Sequence, residues 1–136
     1  VKEMGGIDLL VNNAGGASLK SPCYEQSIED FRKLLELNVL SPIIVSQAVL
    51  RHSMLPENRG LIINISSKAG KVGLPSVLPY VASKFALEGS TATMAAELKD
   101  KGIRVNSISP GMVDTKTFPK APGRPGVRTA ESIRSG

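Results

Sequence analysis

The chain has 136 residues, enough for one modest core and too few for two independent ones, and its 41% hydrophobic and 21% charged content is that of an ordinary globular domain. No apolar run approaches the roughly 20 residues that a membrane span requires, so neither disorder nor a transmembrane segment is expected. The net charge of +5 belongs to the tail, because residues 1–115 carry 12 basic and 11 acidic groups while residues 116–136 carry five basic groups against Glu131.

Those five cations, Lys116, Lys120, Arg124, Arg128 and Arg134, lie in a Pro/Gly-rich stretch without interleaved aromatics. That pattern argues for a solvated or substrate-covering loop and against a nucleic-acid partner. Cys23 is the only cysteine, which rules out an intrachain disulfide, leaves no thiolate cluster for a metal and is compatible with a reducing, cytoplasmic setting.

The first predicted element is a strand over Ile7–Val11, nearly continuous in apolar residues as a strand buried on both faces tends to be. Asn12-Asn13-Ala14-Gly15 follows as a turn. A helix then starts near Ser27, where Ser27 and Asp30 approximate a capping box and Phe31, Leu34 and Leu35 form one apolar stripe; it is expected to run to about Met54. Within it, Pro42 lacks the N–H that would bond the carbonyl of Asn38. A kink is therefore predicted there, with the Asn38 carbonyl free to bind water.

A second strand is predicted over Leu61–Ile65 and ends in Ser66-Ser67. A second helix opens around Pro79 and runs to Lys101, with Gly102 as its C-terminal stop and Lys99 and Lys101 suited to the negative end of its dipole. A third strand, Ile103–Ile108, leads into Pro110-Gly111. The order is βαβαβ, the pattern of a parallel sheet with crossover helices. Crossovers that step in one direction place both helices on one face, so the other face lacks a cover; the chain is expected to be the later part of a larger α/β domain.

Tyr80 and Lys84 are four residues apart and stack on one face of the second helix. An ammonium one turn from a phenol favours the phenolate, and Ser67 adds a hydroxyl at the end of a strand, where ligands of open α/β sheets bind. Together these three residues outline a general acid/base site. Taken alone, Tyr-x-x-x-Lys also arises by accident as a surface pair, and a helical asparagine beside a kink is more often structural than functional.

In their order and spacing these residues resemble the short-chain dehydrogenase/reductase family, in its short single-domain type. The match extends from about Ile7 to Thr115 and comprises Asn12-Asn13-Ala14-Gly15, Leu37-Asn38-Val39, Asn64-Ile65-Ser66-Ser67, Tyr80-Val81-Ala82-Ser83-Lys84 and Arg104-Val105-Asn106 running into Pro110-Gly111. The resemblance implies a Rossmann-like doubly wound parallel sheet, present here as a βαβαβ portion. It implies Tyr80 as the catalytic acid/base, Ser67 as the holder of the substrate oxygen, Lys84 at the nicotinamide ribose, and Asn38 as the anchor of a relay water. Ser67 rather than Ser66 fits the spacing to Tyr80. Asn13, Ala14 and Gly15 would meet the cofactor's ribose region, and Pro110, Gly111, Val113 and Thr115 its nicotinamide end. Asn12, Asn64 and Asn106 are expected to tie strand ends together, and Gly15 and Gly16 serve either simple turn formation or close cofactor approach.

Members of that family begin with a strand, a glycine-rich turn and a helix facing the pyrophosphate, and end with a further strand. Neither part is found in these residues, since Gly5-Gly6 precedes a strand instead of following one. The implied division is 1–115 as the catalytic portion of the domain and 116–136 as a substrate loop or the start of a C-terminal segment. The implied activity is hydride transfer between NAD or NADP and an alcohol or carbonyl substrate. The alternatives are an inactive fragment or non-catalytic oligomerisation module, and a sugar-nucleotide epimerase or dehydratase, against which the Asn12–Gly15 turn argues. A homo-oligomer through helices 27–54 and 80–101 is expected from the small residues of the second helix. Residues 17–26, 71–78 and 116–136 are the expected lids, with Leu74, Val77, Leu78, Met112 and Phe118 as an apolar wall.

Overall fold

The computed structural model describes residues 5–13 and 15–110. Three parallel strands, β1 (Leu9–Asn12), β2 (Gly60–Ile65) and β3 (Ile103–Ile108), lie side by side in the order β1-β2-β3. Helix α1 (Ile28–Glu57) crosses from β1 to β2, and α2 (Leu78–Leu98) crosses from β2 to β3. This is the predicted βαβαβ arrangement.

The register aligns Leu10 with Ile62 and Ile62 with Val105. Their side of the sheet holds the core, in which Ile62, Ile103 and Val105 pack with Val49, Leu50 and Met54 of α1 and with Met94, Ala95 and Leu98 of α2. Both helices therefore cover one face. On the other face Leu9 is 53% exposed, Val11 47% and Ile108 50%, and no described element lies over them. An apolar sheet face left bare in this way calls for a second layer.

The first strand begins two residues later than predicted. The Ile7 amide donates to Ser53 Oγ at 2.6 Å and the Ile7 carbonyl accepts from the same hydroxyl at 3.2 Å, so α1 claims the backbone that would have opened the strand. The start of α1 agrees with its signal, since Ser27 Oγ accepts from the Asp30 amide at 3.2 Å. Gly102 closes α2 and its 3₁₀ extension Lys99–Lys101 in a left-handed conformation, φ 72°, where an added Cβ would strike the Asn58 carbonyl.

The break expected at Pro42 takes a different form. α1 continues to Glu57, but its ladder relaxes into π turns over Glu36–Leu40 and Leu50–Met54. Ser41 donates to the Glu36 carbonyl and Leu55 to the Leu50 carbonyl, each immediately before a proline, Pro42 or Pro56. A π turn takes up one extra residue and accommodates the missing N–H without ending the helix. Length and hydropathy alone would allow α1 to cross a bilayer, its best window having a mean hydropathy of 1.4. Its packing identifies it as a core helix instead, because Val49, Leu50 and Met54 lie on the sheet and Asn38, Ser46 and Ser53 are buried polar residues.

Candidate active site

Parallel pairing brings the carboxyl ends of all three strands to one edge. Asn12 pairs with Asn64, Ile65 with Ile108, and the Ser66 amide extends the ladder to the Ile108 carbonyl at 2.8 Å. Asn13 and Gly15, Ser66 and Ser67, and Ser109 and Pro110 therefore leave the sheet side by side. Ala14, Gly111, Val113 and Thr115 lie outside the described residues, as does the whole of 116–136.

Ser67 caps the 3₁₀ turn Lys68–Gly70, its hydroxyl accepting from the Ala69 amide at 3.1 Å. Tyr80 and Lys84 lie in the first two turns of α2, whose start at Leu78-Pro79 uses a proline where no helical N–H is needed. The Lys84 ammonium sits 5.6 Å from the centroid of the Tyr80 ring and donates to the Ile65 carbonyl at 3.4 Å. Lys84 is a buried lysine, and desolvation pushes its pKa below the ordinary value. The lysine thus reaches from α2, beside the tyrosine, to the end of β2 at Ile65, two residues before Ser67.

Asn38, 1% exposed, is fixed by its side chain. Its Oδ1 accepts from the Gly16 amide at 2.8 Å, while Nδ2 donates to the Gly16 carbonyl at 2.9 Å and to Ser83 Oγ at 3.0 Å. Ser83 Oγ in turn donates to the Tyr80 carbonyl at 2.7 Å. The amide of Asn38 thereby joins the turn after β1, the π segment of α1 and the first turns of α2. Gly15 and Gly16 have no left-handed φ, so turn formation does not explain them; an added Cβ at Gly15 would lie 3.2 Å from Asn38 Oδ1 and 3.6 Å from Lys84 Nζ. At Gly15 the close neighbours are the side chains of Asn38 and Lys84.

Of the three asparagines expected to tie strand ends, two do so. Asn12 Nδ2 donates to Asn64 Oδ1 at 2.8 Å and to Ser46 Oγ at 3.0 Å, and Asn64 Nδ2 donates to Thr91 Oγ1 at 2.9 Å. Asn106 is exposed, lying on the uncovered sheet face with Arg104, and makes no such tie among the described residues. Its alternate position on β3 turns it away from the helices.

The loops expected as lids, 17–26 and 71–78, are pinned to each other by Ser21 N to Ser76 O at 2.9 Å and by Gln26 Nε2, which donates to Ser21 O at 2.9 Å and to Ser76 O at 3.4 Å. A cavity of about 310 Å³ opens beside them, lined in part by Gly16, Leu19, Asp30, Leu37 and Pro79. Ser67, Tyr80 and Lys84 do not line it. Leu74 and Leu78 of the expected apolar wall are exposed, while Met112 and Phe118 lie outside the described residues.

Sequence reasoning passed over Ser83 and Glu88. Ser83 lies inside the Tyr80–Lys84 segment and was legible only as a spacer. Glu88 continues the four-residue spacing of Tyr80 and Lys84, which was the available signal.

A family model described as short chain dehydrogenase matches residues 1–123. Gluconate 5-dehydrogenase of Gluconobacter oxydans is 38% identical over 115 residues, covering 85% of this chain and 44% of that protein. NAD+-bound xylitol dehydrogenase superposes with a TM-score of 0.82 at 38% identity, covering 86% of this chain and 45% of that one. The NADP-bound structure of ElxO gives a TM-score of 0.81 at 39% identity, with 86% and 47% covered. The chain spans about half the length of the curated relatives it matches. With a family model matched over residues 1–123 and a parallel βαβαβ fold shared with these dehydrogenases, the chain belongs to the short chain dehydrogenase family.

Proposed function

We propose that residues 1–115 form the reactive portion of a nicotinamide-dependent oxidoreductase that interconverts an alcohol and a ketone or aldehyde, with Tyr80 as its acid/base. The observation that carries this reading is the placement of Lys84 Nζ, 5.6 Å from the Tyr80 ring centroid and bonded to the end of the strand that leads to Ser67.

The residues present fit a nicotinamide cofactor, NAD or NADP. Gly15 leaves backbone without a side chain next to Lys84, and an ammonium has three donors, of which one meets the Ile65 carbonyl. Lys84 with Asn13, Ala14 and Gly15 would hold the ribose, and Pro110, Gly111, Val113 and Thr115 the nicotinamide end. When bound, the nicotinamide supplies the hydride acceptor or donor.

In oxidation, the Tyr80 phenolate takes the proton of the substrate hydroxyl, and in reduction the phenol returns it to the carbonyl oxygen. Ser67 donates a hydrogen bond to that oxygen as charge develops there. Lys84 places its positive charge beside the Tyr80 ring. Asn38 holds the frame: Pro42 cannot donate to its carbonyl, which leaves that oxygen suited to a relay water, while its amide locks Gly16 and Ser83.

The exposed apolar residues Leu37, Leu40, Ile44 and Val45 of α1 and Phe85 of α2 support a homo-oligomer formed through helices 27–54 and 80–101. The same surface would serve a non-catalytic oligomerisation module of this fold. The free, exposed Cys23 fits a cytoplasmic setting.

Tyr80→Phe separates the catalytic and non-catalytic readings. In the intact protein it is expected to abolish turnover, followed by nicotinamide absorbance, while cofactor binding persists. Wild-type turnover that survives unchanged in Tyr80→Phe would sink the assignment.

A further inference from the structure

Glu88 lies one helical turn beyond Lys84 and two beyond Tyr80, and its carboxylate reaches across to the end of β3. Ser107 Oγ donates to Oε2 at 2.9 Å and Ser109 Oγ donates to Oε1 at 3.2 Å, so each oxygen holds a different serine. These contacts join positions 19 and 21 residues apart, immediately before Pro110.

The same side chain touches the turn that carries Ser67. A Cβ added at Gly70 would lie 3.0 Å from Glu88 Cγ, 3.0 Å from Ser66 Oγ and 3.1 Å from the Lys84 carbonyl, so only glycine lets this turn close onto the helix at that point. Ser66 Oγ is buried without a hydrogen bond of good geometry, yet it lies near enough to the carboxylate to help stabilise its charge. Burial alone would raise the Glu88 pKa; the hydroxyls of Ser66, Ser107 and Ser109 and the charge of Lys71 outweigh it and hold the carboxyl below its ordinary range. A charged acceptor makes both serine bonds stronger than neutral ones.

Glu88 therefore sits where the Ser67 turn, the end of β3 and the helix of Tyr80 and Lys84 converge. We propose that Glu88 is a positioning residue whose carboxylate, by gripping Ser107 and Ser109, fixes the segment leading into Pro110 against the catalytic helix and so sets affinity for the nicotinamide cofactor. This rests on the function proposed above. Among the described residues Glu88 makes no hydrogen bond to Ser67, Tyr80 or Lys84; it acts through the strand end.

The test uses the intact protein with Glu88→Ala, Glu88→Gln and Ser107→Ala combined with Ser109→Ala, read by fluorescence titration of the reduced nicotinamide cofactor. Glu88→Ala and the double serine variant should each weaken binding about tenfold, and combining them should add nothing further, because they break the same contact. Glu88→Gln should recover binding to within about threefold, since its amide accepts from one serine and donates to the other. Hydrogen exchange at Ser107 and Ser109 should quicken in Glu88→Ala and not in Glu88→Gln. If Glu88→Ala fails to fold, the double serine variant decides with Glu88→Gln as its control. Unchanged cofactor binding when the serines are removed, or a loss that adds independently to that of Glu88, would overturn the role of Glu88 while wild-type binding still stands. Absence of cofactor binding by the wild-type protein would instead sink the function reading and this proposal's ligand together.

Discussion

Asn38 and Gly16 are joined in both directions, side-chain oxygen to backbone amide at 2.8 Å and side-chain amide to backbone carbonyl at 2.9 Å. A carboxamide alone among side chains of this size presents an acceptor and a donor at the spacing of a peptide group. Leucine at 38 would fill much the same volume and leave the Gly16 amide and carbonyl unpaired, at about 1–3 kcal/mol for each buried group. Aspartate would keep one bond and set a carboxylate against the Gly16 carbonyl. Both Asn38→Leu and Asn38→Asp are therefore expected to lower the urea midpoint clearly. Losses within about 0.5 kcal/mol for both would show that the turn holds itself.

Gly15 offers a sharper test of the same turn. An alanine Cβ there would press on Asn38 Oδ1 at 3.2 Å, with no backbone strain to confuse the result. Gly15→Ala is expected to cost about 1 kcal/mol by crowding the amide. In an Asn38→Ala background the crowding partner is gone, so the same substitution should cost much less. A double-mutant cycle in denaturant measures that coupling, and strictly additive losses would rule the contact out as the cause.

The parts of this fold that could be read from the sequence are those fixed by near neighbours. Ser27 capping Asp30 and Gly102 ending α2 depend on residues one turn away, and both lie where the local chemistry requires them. The bare sheet face followed from topology, because both crossovers step the same way. What escaped depends on distant partners. Ser53 draws Ile7 out of β1 from 46 residues away, and Glu88 finds Ser107 and Ser109 only once β3 is laid beside β2. Pro42 signalled a disturbed ladder, but not that the disturbance would take the form of a π turn over Glu36–Leu40. At the site, the Tyr80–Lys84 spacing was legible; the use of the Asn38 side chain on Gly16, rather than its carbonyl alone, was not.

Lys84 carries a cost that pH can expose. Burial lowers its pKa from the ordinary 10.5, so in the window between the lowered value and 10.5 the unfolded chain holds more protons than the folded one. Stability then rises with pH across that window, and below it the buried ammonium imposes a constant penalty. Lys84→Met removes the charge and keeps most of the side-chain volume. Relative to wild type it should be most favourable to stability near neutral pH and lose that advantage as pH is raised toward 10.5, measured by chemical denaturation of the intact protein. On the proposed function, turnover and cofactor affinity should both fall in the same variant, because the ammonium that sits beside the Tyr80 ring and would hold the ribose is gone. Stability curves for wild type and Lys84→Met that run parallel across the alkaline range would mean that the lysine is as well solvated in the folded protein as in the unfolded chain, and the burial that brings its ammonium to the Ile65 carbonyl would have to be abandoned.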